Sequence, residues 1–433
     1  MKLANEGPMI TDVIDDNLSL VDAPEVVDQI NSAFYNRFPF PWRPKALDCT
    51  SDPDFARVML NQNLGDWTHQ AVPPQPRIWV AGCGTNQASI TALNYPTATV
   101  RGSDISPASL ELCASTARDL GCTNLELRRE SINDVDYDQE FDYIICTGVI
   151  HHNADPEATL RKLVKALKPT GVLELMVYNR YHRILTSAFQ KAVRLLTGTE
   201  STVDFQKELS FTQALINDFP GKGLMGQFLS FQKQAPEAQI ADALMQPVEN
   251  SYTVEVLEDM INRCGLEFLT PVPNAWDRGA DHLTWNLHFS QPEIQQAYEK
   301  LPDSRRWQIT NLLLCETSPN LWFYMRRADG PLSRKSEQEI CDSFLKTRFK
   351  PNAVSRRSYV LARDNKYAQV KSPLTYPGMP AKPEMRRIIE ATAGGAPMGQ
   401  ILESLRVTPD FTTVNNLRMK LTTSAGPFLR SIP

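Results

Sequence analysis

The chain has 433 residues, 42% of them hydrophobic, which is apolar material enough for two or three domains with sizeable cores and is ordinary for a globular protein. No apolar run approaches the roughly 20 residues that a bilayer span needs, and the opening MKLANEGPMITDVIDDN lacks the apolar centre of a signal peptide, so a cytoplasmic protein outside any membrane is expected. The net charge of −5 conceals an uneven spread: residues 331–433 hold 17 Lys/Arg against 8 Asp/Glu and the first 330 hold 28 against 42, as for a tail that meets an anionic partner or docks on an acidic body.

Residues 1–23 are polar and acidic without a clear period and read as a loose lead-in. A helix is expected from about Pro24, with Val26, Val27, Ile30 and Phe34 on one face. Residues 34–44, FYNRFPFPWRP, are dense in aromatics and proline; they suit a rigid segment packed on the main domain or a flap over a ligand. Residues 54–67 form a further expected helix, and Val72-Pro73-Pro74-Gln75-Pro76 a stiff linker. The eight cysteines are scattered with no Cys-x-x-Cys pair or Cys/His cluster, so neither a metal site nor a disulfide framework is expected.

From Arg77 the pattern alternates strand and helix, which implies a parallel sheet with right-handed crossovers. A strand over 77–81 breaks into the tight turn Gly82-Cys83-Gly84, where glycine lets a ligand touch the main chain, and a helix follows over 86–94. The second strand, 98–103, leads into Asp104, whose carboxylate is placed to accept two ribose hydroxyls. Ser106 caps a helix over 107–120, with Pro107 in its first turn. A third strand spans 125–129, and a fourth, 141–146, runs into Thr147-Gly148-Val149-Ile150-His151-His152. A helix over 156–167 stops at Lys168-Pro169-Thr170-Gly171, before a fifth strand over 172–177. A nicotinamide-binding Rossmann fingerprint would want a small residue where Gln87 stands.

Between residues 77 and 177 the sequence resembles the class I S-adenosylmethionine-dependent methyltransferases, through four pieces in the family's order: VAGCGTNQ, the acid in GSDIS, the strand FDYIICTGVIHH and the stretch LKPTGVLELMVY. The resemblance implies an α/β fold with a Rossmann-like seven-stranded, mostly parallel sheet ending in an antiparallel hairpin. The last two strands then fall at 266–270 and 321–326. It also implies S-adenosylmethionine as cofactor. Ala81, Gly82, Cys83, Gly84, Thr85 and Asn86 would follow its methionine and ribose, Asp104 the ribose hydroxyls, and Ile105 the adenine. Ser131 and Ile132 would border the adenine's other side, near Asp134, and Thr147 and Gly148 the sulfonium side. Two positions depart from the family: Val80 stands where an acid is common, and Asn86 where a third glycine is usual.

Methyl transfer is an in-line displacement whose leaving group departs as a neutral thioether, so the enzyme chiefly aligns and desolvates the acceptor. A base is needed only if the acceptor must lose a proton. His151 and His152 are the candidates for it, since imidazole titrates near neutrality. No Asn/Asp-Pro-Pro-aromatic motif follows the fourth strand, which disfavours adenine amines and glutamine amides as acceptors.

Residues 178–250 form a long insertion with amphipathic stretches at 184–196 and 236–244, read as a lid. Tyr178, Asn179, Arg180, Tyr181 and His182 would contact the acceptor or anchor that lid. Residues 271–320, with Trp276, Asp277, Trp285, Asn286 and His288, form another insertion. The expected division is a helical N-terminal extension packing on the core (1–76), a methyltransferase domain (77–327) and a basic, mainly helical C-terminal domain (328–433) with helices at 384–393, 398–405 and 411–421. The expected activity is methyl transfer to a small-molecule or peptide acceptor. The alternatives are a nucleic-acid methyltransferase guided by Arg386, Arg387, Arg418 and Lys420 of the tail, and a binding protein that keeps the fold without catalysis. No signal for an oligomeric state is visible.

Overall fold

A computed structural model of the chain describes residues 24–199, 203–371 and 375–433, so the loose lead-in read for 1–23 lies outside the described residues. Seven strands, β1 (Arg77–Ala81), β2 (Thr99–Asp104), β3 (Leu125–Arg129), β4 (Phe141–Thr147), β5 (Leu167–Val177), β6 (Leu266–Pro271) and β7 (Leu321–Arg327), build one sheet in the order β3-β2-β1-β4-β5-β7-β6. β1 to β5 run parallel, while β7 is antiparallel to both β5 and β6. The strand order reverses between β1 and β4, and a crevice opens at the carboxyl ends of such strands.

Apolar side chains on both faces of β1 explain its central place. Trp79 and Ala81 pack with Leu160, Leu163, Leu257 and Ile261, whereas Ile78 and Val80 pack with Ala88, Ala92 and Cys113. A strand buried on both sides in this way reads as a continuous apolar run. The helices up to β6 are α1 (Pro24–Arg37), α2 (Phe55–Asn63), α3 (Gln87–Asn94), α4 (Pro107–Leu120), α5 (Pro156–Ala166), α6 (Arg180–Thr197), α7 (Phe205–Asp218), α8 (Gly223–Ser230), α9 (Glu237–Leu244) and α10 (Val254–Arg263), of which α3, α4, α5 and α10 pack against the faces of β1. The Ser106 side chain accepts the Ser109 N–H at the start of α4, and Gly121 closes the helix at φ +70°. β5 begins earlier than the proline and glycine at 169–171 suggest, because Leu167 pairs with Phe141 before the register shifts to Val172 opposite Tyr143. The expected stop is a bulge within the strand.

α6 to α9 form the insertion after β5. They share a core with α1 and the residue that follows it, in which Phe34 and Phe38 meet Phe189, Val193, Leu209, Ile216 and Leu244. The N-terminal segment thus joins the lid as well as the sheet.

The C-terminal part holds helices Pro383–Ala391, Met398–Ser404 and Phe411–Thr422, and a further helix, Glu337–Lys346, behind a Ser336/Glu339 capping box. It also holds strands that the sequence reading lacks. Val354–Leu361 pairs with Tyr367–Val370 and with Ala46–Thr50 of the N-terminal segment, and Leu429–Ile432 pairs with Arg348–Pro351. Trp67 lies in the core of this unit with Phe344 and Phe349. Of the four basic residues singled out in it, Arg418 is fully buried, Lys420 pairs with Asp281 and Arg386 donates to the Pro380 carbonyl, while Arg387 is exposed. Among the described residues no helix is long and apolar enough to cross a membrane, and no group of three or more His, Cys, Asp or Glu could hold a metal ion.

Candidate active site

A cavity of about 610 Å³ lies at the carboxyl ends of β1, β2, β4 and β5, roofed by α1, α9 and the Phe40-Pro41 segment. Its floor is the glycine loop. Gly82 and Gly84 take φ +69° and φ +53°, and a Cβ at Gly82 would come within 2.4 Å of Val149. Residues with side chains are disfavoured on both counts.

Asp104 sits at the end of β2 with both oxygens facing backbone donors: the Gly84 N–H reaches Oδ2 and the Ser106 N–H reaches Oδ1, each at 2.8 Å. Burial raises its pKa, and the two N–H bonds work against that by favouring the anion. Each oxygen keeps a further lone pair for a ligand. Ile105, Ser131 and Ile132 line the wall beyond Asp104, and Thr147 and Gly148 the wall at β4. The Gly148 backbone is open, with nothing nearer to a notional Cβ than the Met176 Cε at 3.9 Å.

Of the residues expected along the cofactor, Gly82, Cys83, Gly84, Asn86, Asp104, Ile105, Ser131, Ile132, Thr147 and Gly148 share this one cavity, while Ala81 and Thr85 lie just behind it. Thr85 instead holds the flap: its N–H donates to the Phe40 carbonyl at 3.3 Å and its hydroxyl to the Pro41 carbonyl, while the Asn86 amide reaches the Trp42 carbonyl at 3.2 Å. Residues 34–44 therefore both pack rigidly on the domain and wall the cavity through Phe40 and Pro41.

The two histidines part company. His152 lines the cavity; its Nδ1 lies 2.8 Å from the Val248 carbonyl, which can only accept, so the proton sits on Nδ1 and Nε2 keeps its lone pair. Burial pushes its pKa down to about 4, so it is neutral near pH 7. His151 lies outside the cavity wall, stacked on Tyr178 at 3.8 Å between centroids, with neither ring nitrogen partnered. Burial first, and then His152 and Arg183, hold its pKa well below the usual range.

Of the five residues expected to meet an acceptor, Tyr178 alone lines the cavity. Asn179 caps α6 and donates to the Ser318 hydroxyl at 2.6 Å and the Pro319 carbonyl at 3.1 Å; His182 Nε2 lies 2.9 Å from the Ser318 carbonyl. Arg180 binds the backbone carbonyls of Tyr252 and Ser251, and the Tyr181 N–H binds Asn179. The physical reason is direction: once the chain turns into α6 after Tyr178, these residues meet the Ser251-Tyr252 segment and the Ser318-Pro319 turn before β7. Asn179→Ala is therefore expected to cost about 1–2 kcal/mol of stability through the lost cap and buried bonds. S-adenosylhomocysteine affinity should stay unchanged; calorimetric unfolding and titration check the two halves.

The roof residues escaped sequence reasoning. Asp28, Asn31 and Tyr35 of α1 and Asp242 of α9 all line the cavity. Asn31 donates its amide to the His152 carbonyl at 2.7 Å, and its Oδ1 is buried without a partner. Asp28 accepts from Ser131 and Asn133. The 3- and 4-residue steps from Asp28 to Asn31 to Tyr35 are a polar stripe readable from sequence. Nothing local marks Asp242.

Residues 81–220 match a family described as a methyltransferase domain. An uncharacterized protein of Synechococcus sp. is 27% identical over 321 residues, spanning 71% of this chain and 74% of its own. PKMT2 from Rickettsia typhi, solved in complex with AdoHcy, aligns over 90% of this chain and 77% of its own at 14% identity with a TM-score of 0.55, a likeness of fold that holds equally without the ligand. The cavity suits such a ligand in size, in the lone pairs Asp104 keeps free and in the bare backbone at Gly148. With the strand order and the match over 81–220 in agreement, the chain carries a class I S-adenosylmethionine-dependent methyltransferase domain, and S-adenosylmethionine is its methyl donor.

Proposed function

We propose that this enzyme methylates a small-molecule or peptide acceptor that enters beside Tyr178 and His152 under the lid. In this reading Asp104 takes the ribose hydroxyls, Ile105 and the Ser131-Ile132 loop enclose the adenine, and residues 81–86 follow the ribose and methionine. Thr147 and Gly148 border the sulfonium, which supplies an electrophilic methyl carbon and a neutral leaving group. His152, rather than His151, is the imidazole that lines the cavity, and its free Nε2 is a hydrogen-bond acceptor for the substrate. The three-domain division at residues 76 and 327 is part of the same reading, with the N- and C-terminal parts as supports for the lid and sheet. So is a cytoplasmic setting, which all eight thiols being unpaired favours.

The observation that carries the acceptor class is the charge of the cavity. Four carboxylates, Asp28, Asp104, Glu130 and Asp242, line it, and no lysine or arginine does. A polyanion would meet repulsion there, and the burial of Arg418 removes a basic group from the tail that a nucleic-acid partner would need. The test uses methyl-labelled S-adenosylmethionine with fractionated cell extract. Label is expected in the low-mass or peptide fraction, with a rate that is flat as salt rises; label in nuclease-sensitive material with a steep salt dependence would overturn the reading.

A further inference from the structure

We propose that the acceptor is a primary or secondary alkyl amine, bound as its ammonium by Asp242 of the lid. The inference rests on the acceptor entering beside Tyr178 and His152 and adds the chemistry that the pocket selects.

The cavity's carboxylates are unequal. Asp104 is held by two backbone amides, Asp28 by Ser131 and Asn133, and Glu130 by the Tyr137 hydroxyl. Asp242 has only long bonds, from the Tyr35 hydroxyl at 3.4 Å and the Gln246 amide at 3.3 Å, both on Oδ1. Its Oδ2 has no hydrogen-bond partner and no cation lies within ion-pair distance among the described residues. The nearby arginine is committed elsewhere: Arg183 grips Glu249 through Nε at 2.6 Å and through Nη2, and lies over the Tyr178 ring at 4.3 Å. An acid in a roof helix, turned to a cavity and left without a cation, is a counter-ion in want of a charge.

The neighbouring groups repeat the message in hydrogen-bond terms. His152 offers the lone pair of Nε2, because Nδ1 is spent on Val248. Asn31 offers a buried, unpartnered Oδ1, because its amide is spent on the His152 carbonyl. Asp242, His152 and Asn31 therefore present acceptors only. An ammonium presents donors only, three from a primary amine and two from a secondary one, whereas a carboxylate or phosphate would bring lone pairs against lone pairs. A free amine nitrogen is also what the displacement needs. The ammonium passes one proton to Asp242 Oδ2; the freed lone pair forms the N–C bond as the methyl C–S bond breaks, its electron pair staying on sulfur as the thioether. Burial lifts the Asp242 carboxyl to about 6, which makes it a better proton acceptor than an exposed aspartate.

The test is a direct titration of the full-length protein with n-butylamine, 1-butanol and butyrate at pH 7.5, with and without saturating S-adenosylhomocysteine. Butylammonium is expected to bind at least 10-fold more tightly than the other two. Asp242→Asn should remove that preference while keeping S-adenosylhomocysteine affinity within threefold, and Asp242→Glu should restore part of it. Equal binding of all three probes, or an unchanged preference in Asp242→Asn, overturns the proposal. A 10-fold loss of S-adenosylhomocysteine affinity in Asp242→Asn also overturns it, by assigning the carboxylate to the cofactor's own amine. Thermal melts of both variants separate these outcomes from misfolding. A blocked tripeptide, acetyl-Gly-Lys-Gly-amide, distinguishes sources: tighter binding than butylamine points to a peptide amine, weaker to a free metabolite. If S-adenosylhomocysteine fails to bind wild type at all, the reading of the cofactor site falls, while the amine preference is still read from the titration without it.

Discussion

Replacing Asp104 by asparagine is expected to weaken S-adenosylhomocysteine binding about 100-fold, nearly as much as Asp104→Ala, because two hydrogen bonds to a charged group contribute about 1.5–3 kcal/mol each. Asparagine is a close isostere, and at most sites it would keep half of what aspartate does. Here it cannot. Oδ1 and Oδ2 each accept a backbone N–H, from Ser106 and from Gly84. An asparagine NH2 on either side would point a donor at a donor, push the glycine loop away and remove one of the two acceptors proposed for the ribose. Calorimetric titration of wild type and both variants checks this. Asparagine binding within threefold of wild type would mean that the ribose is not held here. Acid should mimic the variant: burial raises the Asp104 pKa, so affinity is expected to fall at a higher pH than for an exposed aspartate. A proton on either oxygen takes a lone pair that the proposed ribose contact would use.

Why Asp104 was legible and Asp242 was not follows from how each is placed. The glycine turn, the acid at the end of the next strand and the helix cap at Ser106 are local: each sits within a few residues of an apolar run whose length and period announce the strand. The hairpin of β6 and β7 was also legible across a gap of some fifty residues, since LEFLT and NLWFYMRR are apolar enough to be strands wherever they lie. The roof of the site depends on contacts between distant segments. Asn31 reaches the His152 carbonyl across 121 positions, and Tyr35 reaches Asp242 across 207. No pattern within α9 distinguishes Asp242 from a solvated acid, because the position faces the cavity only once α6 to α9 have folded over α1. The C-terminal strands escaped for the opposite reason. Val354–Leu361, VSRRSYVL, buries only Tyr359 and carries the polar run Ser355-Arg356-Arg357-Ser358 at its centre, so its strand character comes from pairing with Ala46–Thr50 more than from its own composition. The charge surplus of the tail was real, but formal charge says nothing of where a guanidinium points: Arg418 faces inward, held by the Asn415 side chain.

That inward face gives the largest expected effect on stability. Arg306→Met is expected to destabilise the protein by about 3–5 kcal/mol, the usual cost of breaking a buried ion pair by removing one partner. Arg306 is 4% exposed, and each of its three side-chain nitrogens donates. Nε binds Asn286 at 2.9 Å, Nη1 the Leu301 carbonyl at 2.6 Å, and Nη2 both Asp303 at 2.7 Å and Glu337 at 3.0 Å. Asp303 and Asn286 belong to the insertion before β7, Glu337 begins the first C-terminal helix, and the Arg306 guanidinium lies 4.9 Å from the Phe411 ring. The cluster therefore couples the methyltransferase sheet to the C-terminal unit. Without the guanidinium, Glu337 is a buried carboxylate facing Asp303 across a gap, and its pKa, already raised by burial and by Asp303, rises further. A carboxyl raised in the folded state has its full stability below the unfolded pKa and loses it as pH rises, so the deficit of Arg306→Met should be greatest at neutral and alkaline pH and shrink towards acid. Adding Glu337→Gln to Arg306→Met should recover part of the loss, because the uncompensated charge, and not the missing contacts, is then the larger cost. Denaturant melts at pH 5 and pH 8 measure both effects, and limited proteolysis near residues 328–336 reports release of the C-terminal unit. A single variant within about 1 kcal/mol of wild type at pH 8 would show that the ion pair is no stronger than an exposed one and that apolar contacts such as Trp67 with Phe344 and Phe349 hold the unit in place instead.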